Sequence, residues 1–283
     1  MTLPSPRPAI GVFDSGVGGL SVLREIRRLL PFEDLHYVAD SAFAPYGDRS
    51  AAYIAARTRA IAQFLLTQHV KALVVACNTA TSVAVDALRK HINLPIVAIE
   101  PAIKPAVGQT RSGVVGVLAT RQTAGSASVS KLVAKYGQDV RILLQACPGL
   151  VEQVEKGALA TPETQALLNR YITPLLNEGA DTLVLGCTHY PFLTPLIQEI
   201  AGKNVQVIDP APAVAQQLQR RLMADELLAP PDLQREHPRA TGQTAFWTSG
   251  SPEQASRVMS VLWGQPVHAQ ALPEGYCQSP VEG

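Results

Sequence analysis

Apolar and polar positions follow two patterns over the first hundred residues, one typical of buried strands and one typical of amphipathic helices. Short segments rich in apolar residues, typical of buried strands, lie at 9–13, 34–40, 71–76 and 94–100. Between them are segments with the apolar spacing of amphipathic helices, at 19–30, 50–69 and 79–91. Ser50 stands where a helix N-cap is expected. Strands that alternate with helices predict a parallel sheet covered by helices on both faces, the α/β class.

The same order of segments then starts again. GVVGVLAT (113–120) resembles AIGVFDS (9–15), DTLVLGC (181–187) resembles KALVVAC (71–77), and NVQVIDPAPAVA (204–215) resembles LPIVAIEPAIKPA (94–106). The spacing is nearly constant, since Gly116 follows Gly11 by 105 residues and Cys187 follows Cys77 by 110. Three matched segments at one spacing predict two related, pseudo-symmetric α/β domains with largely parallel sheets and an active site between them.

The remaining chain is assigned to the first domain. A helical pattern covers 213–228, and a loop rich in Pro and charge follows at 229–243. Strand-like 244–250, a helix at 251–264 with Ser251 as its N-cap and Pro252 at its first position, and strand-like 266–272 complete the chain. We therefore predict a discontinuous first domain, 1–100 plus 213–283, and a second domain, 101–212.

Composition excludes several classes of protein. Of the 283 residues, 47% are hydrophobic and 17% charged, and the net charge is +1, so a nucleic-acid-binding surface is not expected. No apolar run approaches the roughly 18 residues of a membrane helix, and the first residues lack a signal-peptide core. These features predict a soluble cytoplasmic protein. Its four cysteines form no C-x-x-C pair, which disfavours zinc and thioredoxin-type chemistry and indicates free thiols.

Two cysteines each follow a predicted strand, Cys77 in VVACNTAT and Cys187 in VLGCTHYP. Ligands of open parallel sheets bind beyond the carboxyl ends of strands. The polar triplets 78–80 and 188–190 each predict a helix start, whose free N–H groups would lower the pKa of the thiol. Two domains packed with pseudo-symmetry would place the thiols on opposite sides of one ligand. That arrangement suits removal of a proton from one face of a carbon and its delivery to the other, which inverts a stereocentre.

A buried cysteine is also simply a small hydrophobic residue. The matched positions of Cys77 and Cys187 favour the functional interpretation for that pair. Cys147 and Cys277 have no such match, and for them a structural role is favoured.

Polar residues near the other strand ends are further candidates. The glycines of FDSGVGG (13–19) permit close backbone approach and positive φ, Asp14 could accept from an ammonium group, and Ser15 could donate to a carboxylate. The spacing is not that of G-x-G-x-x-G, so a dinucleotide site is not indicated. In APYGDRS, Tyr46 and Gly47 offer a hydroxyl and a backbone N–H. An ordinary turn is the alternative at both places.

Three more titratable residues have two interpretations each. His189 could polarise the thiol of Cys187 or relay a proton, although a lone histidine is usually structural. Asp40 could orient a neighbour or only cap a turn. Glu152 begins a polar helical stretch, where solvent exposure is the default.

Taken together, six motifs resemble the glutamate racemases of the aspartate/glutamate racemase superfamily: FDSGVGGLSVL, YVADSAFAPYG, VVACNTAT, IVAIEPAIKPA, LGCTHYP and VIDP. The resemblance implies racemisation of L-glutamate to D-glutamate for bacterial peptidoglycan by two thiols, without pyridoxal phosphate, flavin or metal. It associates Cys77 with D-glutamate and Cys187 with L-glutamate.

The resemblance also implies roles for the residues around the two thiols. Those implied to bind substrate are Asp14, Ser15, Tyr46, Gly47, Asn78, Thr79, Thr120, Thr123, Thr188 and His189. Those implied to assist catalysis are His189, Asp14, Asp40 and Glu152.

Other functions stay open at this point. The same scaffold could serve a racemase or decarboxylase acting on aspartate or a hydantoin. A hydrolase using Cys187 and His189 is disfavoured, because residues two apart do not face each other on a helix and no third orienting residue is evident. Some relatives inhibit DNA gyrase, which makes gyrase a candidate protein partner, and a homodimer is a further candidate assembly.

Overall fold

The computed structural model describes residues 7–229 and 241–279. These residues form ten strands, β1 Ala9–Asp14, β2 Leu35–Ala39, β3 Val70–Val75, β4 Ile96–Ala98, β5 Val114–Ala119, β6 Arg141–Ala146, β7 Thr182–Gly186, β8 Gln206–Ile208, β9 Thr244–Thr248 and β10 Ala269–Ala271.

The helices of the same residues alternate with the strands: α1 Leu20–Leu29, α2 Ala51–Thr67, α3 Asn78–His91, α4 Ile103–Gln109, α5 Arg121–Ala124, α6 Ala127–Tyr136, α7 Leu150–Glu155, α8 Pro162–Asn177, α9 Thr194–Ala201, α10 Ala211–Ala224 and α11 Pro252–Trp263. Short 3₁₀ turns lie at Ser41–Phe43, Tyr46–Asp48, Tyr190–Leu193 and Glu274–Tyr276.

The strands form two parallel sheets. The larger has the order β10-β9-β2-β1-β3-β4 and the smaller the order β6-β5-β7-β8. The series β2-β1-β3-β4 and β6-β5-β7-β8 are equivalent, with Val12 lying between Tyr37 and Val74 just as Val117 lies between Leu144 and Val184. The predicted α/β class and the internal pseudo-symmetry are therefore confirmed.

The end of the chain adds to the first sheet. Strand β9 pairs in parallel with β2, and β10 pairs with β9. Helix α10 packs against α1. This membership supports the domain division that we propose, with 101–212 as the second domain. Most of the loop predicted at 229–243 lies outside the described residues.

Local chemistry explains where the helices begin. The Ser50 hydroxyl accepts the N–H of Tyr53 at the start of α2. The Ser251 hydroxyl likewise accepts the N–H of Gln254, and Pro252 occupies the first turn of α11. Side-chain oxygens at the N-cap satisfy backbone donors that have no partner inside the helix, so both predicted caps are confirmed.

Two predicted elements are shorter than expected. Helix α10 ends at Ala224 rather than at 228, because Glu226 adopts a left-handed φ of 55° and the N–H of Leu227 turns back to the carbonyl of Leu222. A left-handed residue that ends a helix is usually Gly, so the glutamate at this position gave no signal for the helix end in the sequence. The strand predicted at 266–272 pairs only over Ala269–Ala271.

The two sheets share one continuous cluster of buried apolar side chains. It includes Val12 and Val74 of the larger sheet and Leu118 and Leu185 of the smaller. At the carboxyl ends of the strands, Asp14 of β1 contacts Thr188 after β7, and Thr79 after β3 contacts Thr120 after β5. None of the described helices is both long and apolar enough to cross a membrane.

Candidate active site

The first sheet contributes Asp14, at the end of β1, and Cys77, directly after β3. Cys77 is the N-cap of α3, and its Sγ accepts the N–H of Ala80 at 3.5 Å. The same Sγ lies 3.6 Å from Ser15 Oγ. Cys77 is only 4% exposed, so its thiol is enclosed by protein groups.

Asp14 organises the turn that follows β1. Its Oδ1 accepts the N–H of Ser15 at 2.7 Å, and its Oδ2 accepts the N–H of Gly19 at 2.8 Å. The hydroxyl of Thr188, from the second half of the chain, also donates to Oδ2 at 3.3 Å. Asp14 therefore joins the two halves. Because several protein donors already contact its oxygens, the predicted bond to a ligand ammonium stays a prediction.

The second sheet contributes Cys187, directly after β7. Its Sγ lies 3.7 Å from Nδ1 of His189. On the other side of that ring, Nε2 of His189 lies 2.6 Å from Glu155 Oε1, which also accepts the N–H of Val17 at 2.7 Å. Glu155 thus holds the imidazole from α7 and ties it to the glycine turn of the first half.

The two thiols belong to one line of contacts. Nδ1 of His189 lies 3.9 Å from Asp14 Oδ2, and Asp14 Oδ1 accepts the hydroxyl of Ser15 at 3.3 Å, which in turn lies 3.6 Å from Cys77 Sγ. Residues from both halves therefore run in the order Cys77, Ser15, Asp14, His189 and Cys187.

The glycine turn makes this approach possible. A Cβ at Gly18 would lie 2.2 Å from His189 Nδ1, and one at Gly16 would lie 1.9 Å from Glu155 Oε1. The glycines thus permit a close approach, and neither Gly16 nor Gly18 uses the left-handed backbone that glycine also permits. Gly is needed here because side chains of the second half occupy the space of a Cβ.

The expected fall in thiol pKa is wrong for Cys77. Burial, followed by the neighbouring charge of Asp14, raises the pKa of Cys77 well above its ordinary value. The N–H of Ala80 and the contact with Ser15 act in the opposite direction but do not prevail. Desolvation destabilises the thiolate form of Cys77 by more than the helix N-terminus stabilises it, so Cys77 is a thiol at neutral pH.

The two charged neighbours are also shifted. Burial opposes protonation of His189, but its hydrogen bonds to Cys187 and Glu155 and the charge of Asp14 outweigh burial and raise its pKa well above the ordinary value. Burial raises the pKa of Asp14, although the charge of His189 opposes that change. These surroundings therefore favour the imidazolium form of His189, and the ring lies against Cys187.

The predicted helix start after Cys187 is wrong. A turn and the 3₁₀ segment Tyr190–Leu193 follow, and α9 begins only at Thr194. Because the backbone is not helical here, Cys187 and His189 do face each other. The argument against a thiol–imidazole pair therefore fails, and Glu155 is the third residue that the sequence did not reveal.

Hydroxyl and amide groups lie between the halves beside Cys77. Thr79 Oγ1 is 3.0 Å from Thr120 Oγ1 and 3.2 Å from Thr123 Oγ1. Both polar atoms of the Asn78 side chain are buried and lack a hydrogen-bond partner among the described residues. A buried amide without partners is costly, so this position suits a polar ligand.

The loop that carries Tyr46 and Gly47 lies against the same cluster. A Cβ at Gly47 would be 2.8 Å from Thr120 Cβ. The Tyr46 hydroxyl donates to Asp40 Oδ2 at 2.5 Å. Asp40 thus orients a neighbour, and it contacts neither thiol in any described hydrogen bond.

Glu152 lies one turn before Glu155 on α7. It borders a cavity of about 400 Å³ together with Glu155, and neither Cys77 nor Cys187 lines that cavity. In the described hydrogen bonds, the partner of His189 is Glu155 and not Glu152. Because Glu152 and Glu155 are only three residues apart, the sequence alone could not show which of them contacts His189. The auxiliary role of Glu152 stays a prediction.

The remaining cysteines lie outside the line of contacts. Cys147 donates to the carbonyl of Gln145, and Cys277 donates to that of Leu272. Within 7–229 and 241–279, no group of three or more His, Cys, Asp and Glu side chains is arranged to hold a metal ion.

The fold has two parallel sheets, each with a thiol directly after one strand, and comparison with known proteins identifies its class as an isomerase. The chain belongs to the Asp/Glu/Hydantoin racemase family, whose model matches residues 10–218. It is 53% identical over 262 residues to a glutamate racemase of Pseudomonas aeruginosa, covering 91% of this chain and 95% of that protein.

Solved structures give the same result. A glutamate racemase isoform of Bacillus anthracis superposes with a TM-score of 0.84 at 32% identity, covering 94% of this chain and 97% of that one. The Escherichia coli glutamate racemase, in complex with L-glutamate and the activator UDP-MurNAc-Ala, has a TM-score of 0.80 at 33% identity, covering 94% and 98%. The family and these relatives assign glutamate racemase activity to this chain.

Proposed function

We propose that Cys77 and Cys187 are the two acid/base groups of glutamate racemisation. The observation that supports this proposal is the line of contacts from Cys77 through Ser15, Asp14 and His189 to Cys187. A racemase that converts either enantiomer into the other needs a proton acceptor on one face of the α-carbon and a proton donor on the opposite face.

In the direction from L- to D-glutamate, Cys187 removes the α-proton. The imidazolium of His189, 3.7 Å from Sγ, stabilises the thiolate electrostatically, and Glu155 keeps the ring charged and oriented. Cys187 gains the proton, and the electron pair remains on the α-carbon and its carboxylate.

Cys77 then completes the inversion. Its raised pKa keeps it protonated, so it can donate to the opposite face of the α-carbon. In the reverse direction Cys77 must first lose its proton. We assign Asp14 as the acceptor, because it is linked to that thiol through the Ser15 hydroxyl and burial raises its pKa.

Substrate recognition follows from the polar groups between the halves. Asn78 offers a buried amide without a protein partner, and the hydroxyls of Thr79 and Thr188 lie beside the two thiols in sequence. We assign them to the carboxylates of glutamate, with Tyr46 and Gly47 closing the site. The L-glutamate bound to the E. coli relative supports this choice of substrate.

The biological role is part of the same proposal. D-glutamate made by this chain would supply peptidoglycan synthesis in the cytoplasm of a bacterium, as the resemblance to glutamate racemases implies. A homodimer and a contact with DNA gyrase stay predictions.

The test is racemisation by single-cysteine variants in deuterium oxide. We expect Cys77→Ala and Cys187→Ala each to lower kcat/KM by at least about 10²–10⁴-fold, followed by circular dichroism and by deuterium incorporation at the α-carbon. Cys147→Ala is the matched control, because Cys147 is also buried but lies outside the line of contacts. Racemisation at the unaltered rate by either test variant refutes the mechanism. An acyl-thiol adduct found by mass spectrometry would instead support a hydrolase.

A further inference from the structure

Arg57, on α2, is almost wholly buried although it carries a charge. Two of its bonds go to one carboxylate, with Nε donating to Asp40 Oδ2 at 2.9 Å and Nη2 to Oδ1 at 2.7 Å. The guanidinium also lies over the ring of Phe43, 3.7 Å from its centroid. A planar guanidinium is suited to bidentate pairing and stacking of this kind.

The other donors of Arg57 reach the end of the chain. Nη2 donates to the carbonyl of Tyr276 at 2.8 Å, and Nη1 donates to that of Gln278 at 2.9 Å. The Tyr276 ring packs on Phe64 of the same helix, with centroids 5.4 Å apart. The segment 276–278 is therefore held against α2 by its own side chain as well as by the two carbonyls.

Asp40 transmits this anchoring to the site. It accepts the Tyr46 hydroxyl on the same Oδ2 that accepts Arg57 Nε. Next to Tyr46, Gly47 lies so close to Thr120 that no Cβ would fit. A shift of Asp40 would therefore move the loop at 44–49 relative to the hydroxyl cluster of the second half.

We propose that Arg57, anchored by the backbone carbonyls of Tyr276 and Gln278, is a positioning residue that holds the loop carrying Tyr46 and Gly47 in its substrate-binding position. The inference rests on the proposed role of that loop in binding glutamate. It gives a function to the last segment of the described chain, which contributes no side chain to the site.

The physical requirement is four directed donors on one rigid group. A lysine at position 57 has three donors on a compact ammonium and cannot pair with both Asp40 oxygens and both carbonyls. Buried acceptors would then lack partners, and the carboxylate of Asp40 would be free to turn away from Tyr46.

The first experiment measures amide hydrogen exchange in the full-length chain. We expect Arg57→Lys to speed exchange at 44–49 by about tenfold or more, since local opening becomes easier. Arg27→Lys is the matched control, because Arg27 also donates to backbone carbonyls, those of Pro31, Glu33 and Gln243, but contacts no site residue. Unchanged exchange at 44–49 in Arg57→Lys overturns the proposal.

A second variant acts from the other end of the chain and leaves Arg57 in place. Tyr276→Ala removes the ring that packs on Phe64 and loosens the carbonyl acceptors. We expect faster exchange at 44–49 here too, although residue 276 lies far from this loop in sequence. Faster exchange confined to 273–279 would show that the tail does not position the loop.

Kinetics then distinguish positioning from general destabilisation. We expect Arg57→Lys to raise KM for glutamate by about tenfold with a smaller change in kcat, at a temperature where all variants are folded. Arg57→Lys and Tyr46→Phe should be non-additive because both act through Asp40, whereas Arg27→Lys and Tyr46→Phe should be additive. Additivity in the first pair refutes the proposal. Failure of the two-thiol mechanism would appear separately, in the Cys77 and Cys187 variants, and would leave the exchange result intact.

Discussion

Glu155→Gln isolates the electrostatic part of the proposed mechanism. In the unaltered chain, Glu155 Oε1 accepts the N–H of Val17 at 2.7 Å. Glutamine has the same shape as glutamate, so its carbonyl oxygen can still accept this N–H. The substitution removes the negative charge that lies 2.6 Å from His189 Nε2. The backbone contact between the halves is thereby kept while the imidazolium loses its charged partner.

The magnitude follows from that one bond. A hydrogen bond to a charged group contributes about 1.5–3 kcal/mol, and about 1.4 kcal/mol corresponds to a factor of ten. The Glu155 side chain is 18% exposed, so solvent screens the bond only slightly. We expect kcat/KM to fall by about ten- to a hundredfold. Because the two enantiomers have equal free energy, kcat/KM must fall equally in both directions, while kcat can differ between them.

The pH dependence gives an independent check. His189 has a raised pKa, so its charged form is present at lower pH and is lost as the pH rises through that pKa. Removing Glu155 lowers the pKa of His189. The alkaline decline of kcat with L-glutamate should therefore begin at lower pH in Glu155→Gln than in the unaltered enzyme.

The assay is circular dichroism of each enantiomer from about pH 6 to 10, the range that spans the ordinary pKa values of His and Cys. Glu152→Gln is the matched control, since Glu152 lies on the same helix and has no described hydrogen bond to His189. If Glu152→Gln loses more activity than Glu155→Gln, or if the alkaline limb does not move, the assigned role of Glu155 is wrong.

Two further predictions concern the glycine turn and an acid-sensitive bond network. Gly18→Ala should lower kcat/KM by more than about tenfold, because its Cβ would meet His189 Nδ1 at 2.2 Å. Gly108→Ala is the control and should leave activity unchanged, since Gly108 on α4 has open space around it. Equal activity of the two variants in the racemisation assay would contradict this account. Partial burial opposes ionisation of Asp181, but bonds from the turn at 110–112 and from Thr182 outweigh it and lower its pKa. Its stabilising effect is thus present above the ordinary carboxyl pKa and lost in acid, so Asp181→Asn should lower Tm at pH 7 and differ less from the unaltered chain below about pH 4 in a thermal melt.

Local pattern was sufficient for the elements and their order. The strand AIGVF, the cap at Ser50 and the cap at Ser251 depend on residues a few positions apart, so periodicity and capping chemistry predicted them. The repeat that links Cys77 with Cys187 was visible because duplicated strands keep their apolar pattern. Where a local signal was atypical, as with the left-handed Glu226, the predicted helix was too long.

The long-range partners of the residues around each thiol were beyond such reasoning. Glu155 reaches His189 from 34 residues away, and Thr188 reaches Asp14 from 174 residues away. Burial, which raises the pKa of Cys77 against the effect of its helix, depends on side chains that are distant in sequence, such as those of Asp14 and Ser15. A motif names the residue that carries the chemistry, but charge and solvent access at that residue depend on what packs against it.

From its sequence alone, this chain is a duplicated α/β protein with a thiol at each of two matched strand ends, because strand and helix periodicity are properties of short segments. Only the tertiary structure selected Glu155 over Glu152, gave His189 its charge and linked Arg57 to the end of the chain. Those choices depend on contacts between distant segments, where desolvation and hydrogen bonding compete and no local pattern records the result.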